Sequence, residues 1–202
     1  MLESNARVRS VRRPIAAALI LVVASAAWSA AQPAAGYHYT LLATNKTSTM
    51  EKELNEAAEA GYVFESVMGG DTAVGGNEVV AVMSRRDGSR PRYAYKLLAT
   101  AKTSTMQKEL QEAADAGFEY RGQTVFKSMF GGDEVVCILE RDKDATGPRA
   151  NYKLLATNKT STLDKELNEA GAAGYHLVGM TVAKTAIGGK EIVAITRREG
   201  DK

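Results

Sequence analysis

The sequence predicts an α+β protein of three tandem βαββ modules, each a three-stranded antiparallel sheet in the order 1-3-2 with one helix on one face. Three observations carry this. The stretch Lys46 to Leu54 recurs almost letter for letter as Lys102 to Leu110 and as Lys159 to Leu167. Leu41, Leu97 and Leu154 set a period of 56 to 57 residues, and each copy runs from Leu-Leu-Ala-Thr through a glycine to a Gly-Gly and a glutamate that opens an apolar run. Finally, the hydrophobic spacing switches within each copy from strand to helix and back to strand. A module of about 50 residues buries only about 60% of its unfolded surface, so stacking three enlarges a core that would be marginal alone.

Residues 1–31 read as a secretory signal peptide. Arg7, Arg9, Arg12 and Arg13 make a basic start, Ile15 to Ala27 is apolar, and Ser29-Ala30-Ala31 offers small residues for cleavage. The alternative is an uncleaved anchor, but the apolar run is shorter than the roughly 20 residues that span a bilayer. No cysteine stands near the cleavage point to take a lipid. Arg12-Arg13 hints at twin-arginine export, although Val11 separates the pair from Ser10. The expected location is therefore periplasmic or secreted, with no stable membrane span after cleavage.

After Ala31, 22 basic and 23 acidic side chains remain, so the mature chain is near neutral. It has no basic block of the kind a nucleic-acid binder carries, which argues against that class of partner. Trp28 leaves with the signal, and the mature aromatics are Tyr and Phe. The single cysteine, Cys137, cannot form an intramolecular disulfide, and its setting in Val135-Val136-Cys137-Ile138-Leu139 reads as a small buried hydrophobe.

The repeats occupy 37–88, 92–144 and 149–200, joined by short Pro-bearing linkers at Ser89-Arg90-Pro91 and Ala145-Thr146-Gly147-Pro148. In each, a first strand alternates: Tyr37 to Thr44, Tyr93 to Thr100 and Tyr152 to Thr157. A helix follows, with Ser48 and Glu51, Ser104 and Gln107, and Ser161 and Asp164 at capping-box spacing. Met50, Leu54, Ala57 and Ala58 then make one apolar stripe, as do Met106, Leu110, Ala113 and Ala114, while Glu51, Glu53, Glu56 and Glu59 read as a wet face. Gly61, Gly117 and Gly174 end the helices in the left-handed conformation. Second strands are expected at Tyr62 to Met68, Phe118 to Phe126 and Tyr175 to Val182. Turns at Gly75-Gly76, Gly131-Gly132 and Gly188-Gly189 follow, then third strands at Glu78 to Arg85, Glu134 to Arg141 and Glu191 to Arg198.

Topology fixes the order. A strand-helix-strand crossover runs strands one and two parallel, so a wholly antiparallel sheet needs the third strand between them. Val79-Val80-Ala81-Val82-Met83 agrees, being apolar on both faces. One helix covers one face only, so a neighbouring repeat or another chain must cover the other.

The pattern Tyr-x-Tyr-Lys-Leu-Leu-Ala-Thr at Tyr93 to Thr100, then a helix, Ala-Gly-Tyr/Phe and Gly-Gly-x-Glu-Val-Val-Ala, resembles a small bacterial βαββ family of unknown function in hypothetical exported proteins. By topology and tandem export it also resembles the enterobacterial periplasmic stress and biofilm modulators. Members of the first family usually carry Trp where Tyr62, Phe118 and Tyr175 stand. The resemblance implies a fold and export, and transfers no functional residue.

Candidate chemistry is sparse. His38 and His176 occupy non-equivalent positions with no cysteine or histidine cluster to complete a metal site. The Lys-Thr-Ser-Thr serines and threonines lack a repeated base, so no catalytic residue, cofactor or metal is expected. The Gly-Gly pairs read as hairpin turns in preference to anion-binding nests. One constellation has a ligand reading: Lys46, Thr47 and Ser48, with Lys102, Thr103 and Ser104 and with Lys159, Thr160 and Ser161, stand where helix starts present free N–H groups, and could hold a small anion. Helix capping explains the same residues. The sequence thus points to an exported non-enzymatic binding or scaffolding protein of the cell envelope. It would meet a protein partner, or itself, through an open sheet face or a first-strand edge bearing Tyr37, Tyr39 or Tyr93. The alternative is a carrier or sensor of a small anionic ligand at the helix starts.

Overall fold

A computed structural model describes residues 36–72, 76–127, 133–147, 149–185 and 189–200. The expected signal peptide, 1–31, lies outside the described residues. Among those described, no helix is long and apolar enough to cross a membrane.

Each repeat is a βαββ unit. The first comprises β1 (Tyr37–Thr44), α1 (Thr47–Glu59), β2 (Val63–Thr72) and β3 (Gly76–Arg86). The second comprises β4 (Tyr93–Thr100), α2 (Thr103–Asp115), β5 (Glu119–Lys127) and β6 (Asp133–Asp142). The third comprises β7 (Ala150–Thr157), α3 (Thr160–Ala172), β8 (His176–Thr185) and β9 (Gly189–Glu199). The three antiparallel sheets are ordered β1-β3-β2, β4-β6-β5 and β7-β9-β8, as the crossover argument requires. Of the turn glycines, Gly76 and Gly189 lie at φ 68° and 76°, while Gly75, Gly131, Gly132 and Gly188 lie outside the described residues.

The helices end as expected and begin otherwise. Gly61, at φ 84°, lets the Tyr62 N–H return to the Ala57 carbonyl at 3.0 Å, a Schellman closure repeated at Phe118 to Ala113 and Tyr175 to Ala170. The Arg85 guanidinium lies 4.9 Å from the Tyr62 ring centroid and donates to the Ala60 carbonyl, so cation–π attraction and a helix-end charge act through one side chain. Arg141 over Phe118 and Arg198 over Tyr175 repeat the stacking. The capping boxes, by contrast, do not form. The N-cap residues are Lys46, Lys102 and Lys159, none with a side-chain cap bond, and Thr44 Oγ1 accepts instead from the Lys46 N–H. Ser48 and its counterparts fall one residue inside the helix, where a hydroxyl is too far along to cap it.

A bulge in each second strand was not visible in the alternation. Register shifts between Phe64 and Ser66, Tyr120 and Gly122, and Leu177 and Gly179 leave one extra residue in each strand. Phe64 and Val67 thereby share the face that looks at the module's own helix.

The modules stack, and the central strands β6 and β9 are buried from two sides, whereas the reverse face of β3, with Val80 and Val82, is only half-buried. Val135, Cys137 and Leu139 of β6 pack with Met106 and Leu110 of α2 and with Tyr152, Val193 and Ile195 of the third module. Val136 and Ile138, on the reverse face, join Met50, Leu54, Phe64, Ala81 and Met83 of the first. A buried aliphatic side chain contributes about 1.5–3 kcal/mol, so the reverse faces are a large share of what holds neighbours together. Cys137 is fully buried, and burial pushes its thiol up to about 12.

Candidate functional site

The nine anion-site candidates are placed at three separate helix starts. Lys46, Lys102 and Lys159 are exposed, as are Ser48, Ser104 and Ser161, and the three starts belong to three different modules. An open groove of about 500 Å³ beside the first start is lined by Thr47, Ser48 and Glu51 and, from the second module, by Lys96, Glu109 and Glu112. It offers an anion one lysine against three carboxylates. His38 Nε2 pairs with Asp87 at 2.8 Å, and His176 stands exposed on β8. Among the described residues no three His, Cys, Asp or Glu side chains are grouped to hold a metal ion.

The geometry that recurs lies at the junctions between modules. The side chain of Asn55 on α1 meets the outer edge of β4, its Oδ1 accepting from the Tyr95 N–H and its Nδ2 donating to the Tyr95 carbonyl, both at 2.9 Å. One turn earlier, Glu51 Oε2 accepts from the Leu97 N–H at 2.8 Å. The second junction repeats the arrangement. Gln111 accepts from the Tyr152 N–H at 3.1 Å, and Gln107 accepts from the Leu154 N–H at 2.7 Å and donates to the Tyr152 carbonyl at 2.9 Å. A helix thus supplies, from side chains four residues apart, the hydrogen bonds that another strand would give an open edge.

The tyrosine on that edge enters the preceding module's core. Tyr95 and Tyr152 are 3% and 4% exposed, and their hydroxyls accept from the Phe64 and Tyr120 N–H groups at 2.8 and 2.7 Å. The Tyr95 hydroxyl donates in turn to Glu140 Oε2 at 2.7 Å. Burial raises the Glu140 carboxyl above its ordinary range, opposed by the Tyr95 bond and by Arg121 at 3.5 Å. Burial likewise raises the Tyr95 phenol, and the Glu140 bond adds to the rise. Close approach of second strands completes each junction. A Cβ on Gly69 would run into the Val125 carbonyl, and one on Gly179 into the Tyr120 hydroxyl.

No family model, no curated protein and no solved structure matches the chain. Its own three copies are therefore the comparison that counts.

Aligned by repeat, the two ends of the stack carry the junction residues without a neighbour. At the β1 end, Tyr39 stands where Tyr95 and Tyr152 do and is 61% exposed; Tyr37, Leu41 and Met68 are also exposed. Cross-strand pairing sets Tyr39 opposite Ser84, Leu41 opposite Val82 and Met68 opposite Val80, so all lie on one sheet face. At the α3 end, Leu177, Met180 and Val182 of β8 are 47%, 56% and 58% exposed on the face toward α3. Of the first-strand tyrosines named from sequence, Tyr37 and Tyr39 are exposed. Tyr93 is half-buried, because its strand edge is covered by α1.

The spacing assigns Glu51 to a wet face and gives Asn55 and Gln111 no role, yet all three bond the first-strand edge of the next module. A signal existed: an acid or amide at 51, 107 and 164, and an amide at 55, 111 and 168, recur on the flank of the apolar stripe in all three copies.

Proposed function

We propose that this is an exported, non-enzymatic binding or scaffolding protein of the cell envelope, and that it binds through the two terminal faces of its stack. One observation carries the reading: the strongly exposed large apolar side chains among the described residues all lie on those two faces, four at the β1 end and three at the α3 end. Apolar side chains gathered at the ends, where a polar capping face would keep a repeat stack soluble, mark surfaces that meet something. Between the ends, helix side chains bonded to the strand edges and tyrosines buried in the preceding cores tie one module to the next, as a scaffold requires.

The test is site-specific photo-crosslinking in the cell that expresses the protein. A photoreactive phenylalanine analogue at Tyr39 or at Met180 is expected to give protein adducts on irradiation, whereas the same analogue at Lys52, on the exposed helix surface, is not. Absence of adducts from both terminal faces, or equal yield from Lys52, would count against the reading.

A further inference from the structure

We propose that the chain binds further copies of itself head to tail, the β1 end of one copy docking on the α3 end of the next. This rests on the reading that the terminal faces are binding surfaces, and it names what they bind.

The warrant is continuity with an interface the chain already builds twice. Each internal junction has an edge tyrosine entering the preceding core, a backbone N–H bonded to its hydroxyl, and two helix side chains bonded to its strand edge. Every part has a counterpart at the free ends. Tyr39 is the tyrosine, with the edge of β1 from Tyr39 to Leu41 beside it. On α3, Asn168 stands at the position of Asn55 and Gln111, and Asp164 at that of Glu51 and Gln107. Asn168 Nδ2 donates to the Asp164 carbonyl at 2.7 Å, as Asn55 Nδ2 does to the Glu51 carbonyl at 2.8 Å, so the amide is already held as the working one is. The Leu177 N–H stands where those of Phe64 and Tyr120 meet a tyrosine hydroxyl.

The facing surfaces also correspond. Val80 and Val82 of β3 hold the places of Val136 and Ile138, which the preceding module buries, yet they are only half-buried. On the opposing face, Leu177, Met180 and Val182 await such a cover. The new junction differs from the internal ones where second strands approach. Ser66 stands where Gly122 and Gly179 do, and Met68 where Thr124 and Thr181 do, which adds bulk. Leu177 in place of Phe64 and Tyr120 removes some from the other side. Asp164, one methylene shorter than Glu51, makes the least well matched contact.

Because head and tail are different surfaces, each docking leaves one of each free, so association passes two chains and gives a ring or an open fibre. An isologous pairing would stop at the dimer.

Sedimentation velocity of the naturally processed protein, purified from the envelope, tests this across a wide concentration range. The weight-average mass is expected to rise beyond two chains. Tyr39→Glu, on the head, and Met180→Glu, on the tail, should each abolish the rise while circular dichroism stays that of the parent. Asn168→Lys serves as a second tail variant. The deciding sample is the mixture of the head and tail variants, which retains one good head and one good tail and should form one-to-one dimers that grow no further. A parent that stays monomeric overturns the proposal, as does assembly that only the head variant weakens, or a mixture that remains monomeric. If the parent is monomeric while Tyr39 or Met180 crosslinks to a different envelope protein, self-association falls and the binding reading stands. No adduct at either face removes both.

Discussion

Tyr95 and Tyr39 occupy one position of the repeat and one register in their sheets, opposite Glu140 and Ser84 respectively, yet the first is 3% exposed and the second 61%. The strands around them, Tyr37–Thr44 and Tyr93–Thr100, differ only at His38 against Ala94 and Thr40 against Lys96. What sets them apart is whether a preceding helix stands beside the strand with an amide and an acid on its flank. The local sequence therefore builds the module, while burial is conferred by the neighbour, and a residue's contribution to stability is a property of its place in the stack.

That contrast can be broken most directly at the tyrosines themselves. Tyr95→Ala removes a ring from the first core, orphans the Phe64 N–H and leaves Glu140 without its donor, so it should cost about 3–5 kcal/mol. Tyr39→Ala in the dilute single chain should stay within about 0.5 kcal/mol. Urea unfolding of both variants at low protein concentration gives the comparison, and equal losses would show that position in the repeat, not the neighbour, sets the cost.

A smaller difference is expected at two adjacent glycines of β2. Gly69 lies against the Val125 carbonyl of the next module, whereas a Cβ at Gly70 meets nothing within 4 Å. Gly69→Ala should therefore lower the stability of the chain by about 1–3 kcal/mol by forcing the second strands apart. Gly70→Ala should be close to neutral, since alanine adds little strain in a strand. Similar urea midpoints for the two would mean that the close approach of β2 and β5 contributes little.

The smallest effect sharpens the comparison through pH. Glu140 is 8% exposed and its carboxyl is raised from 4.5, burial being the first cause. A carboxyl raised in the folded state binds its proton more tightly there than in the unfolded chain. Its stabilising contribution is thus complete below pH 4.5 and is lost as pH rises through the folded value. Glu140→Gln keeps an acceptor for Tyr95 and cannot ionise. Urea midpoints of parent and variant should agree at the acid end and separate above it, with the variant ahead. A gap that is constant or closes as pH rises would place the ionised carboxylate among the stabilising groups of this junction.

Much of the fold is legible in the letters, for local reasons. Alternation at Tyr37 to Thr44, the Met50 and Leu54 stripe, and Gly61 at the helix end each act over a few residues, and the crossover rule then leaves one antiparallel strand order. Val136 and Ile138, apolar opposite Val135 and Cys137, even announce that something covers the reverse face. Other features were decided only in three dimensions. Ser48 has the letters of a cap but sits inside the helix, because Thr44 ties the Lys46 N–H and sets the start earlier. Glu51 has the letter of a solvated face but bonds the Leu97 N–H, because β4 arrives beside α1. The bulge at Glu65 depends on pairing with β3, which no window of β2 alone contains. The sequence by itself determined each module and the need for a neighbour. Which side chains meet that neighbour, and which are left at the two ends without one, depends on contacts far apart in the chain, and only the stacked structure decides them.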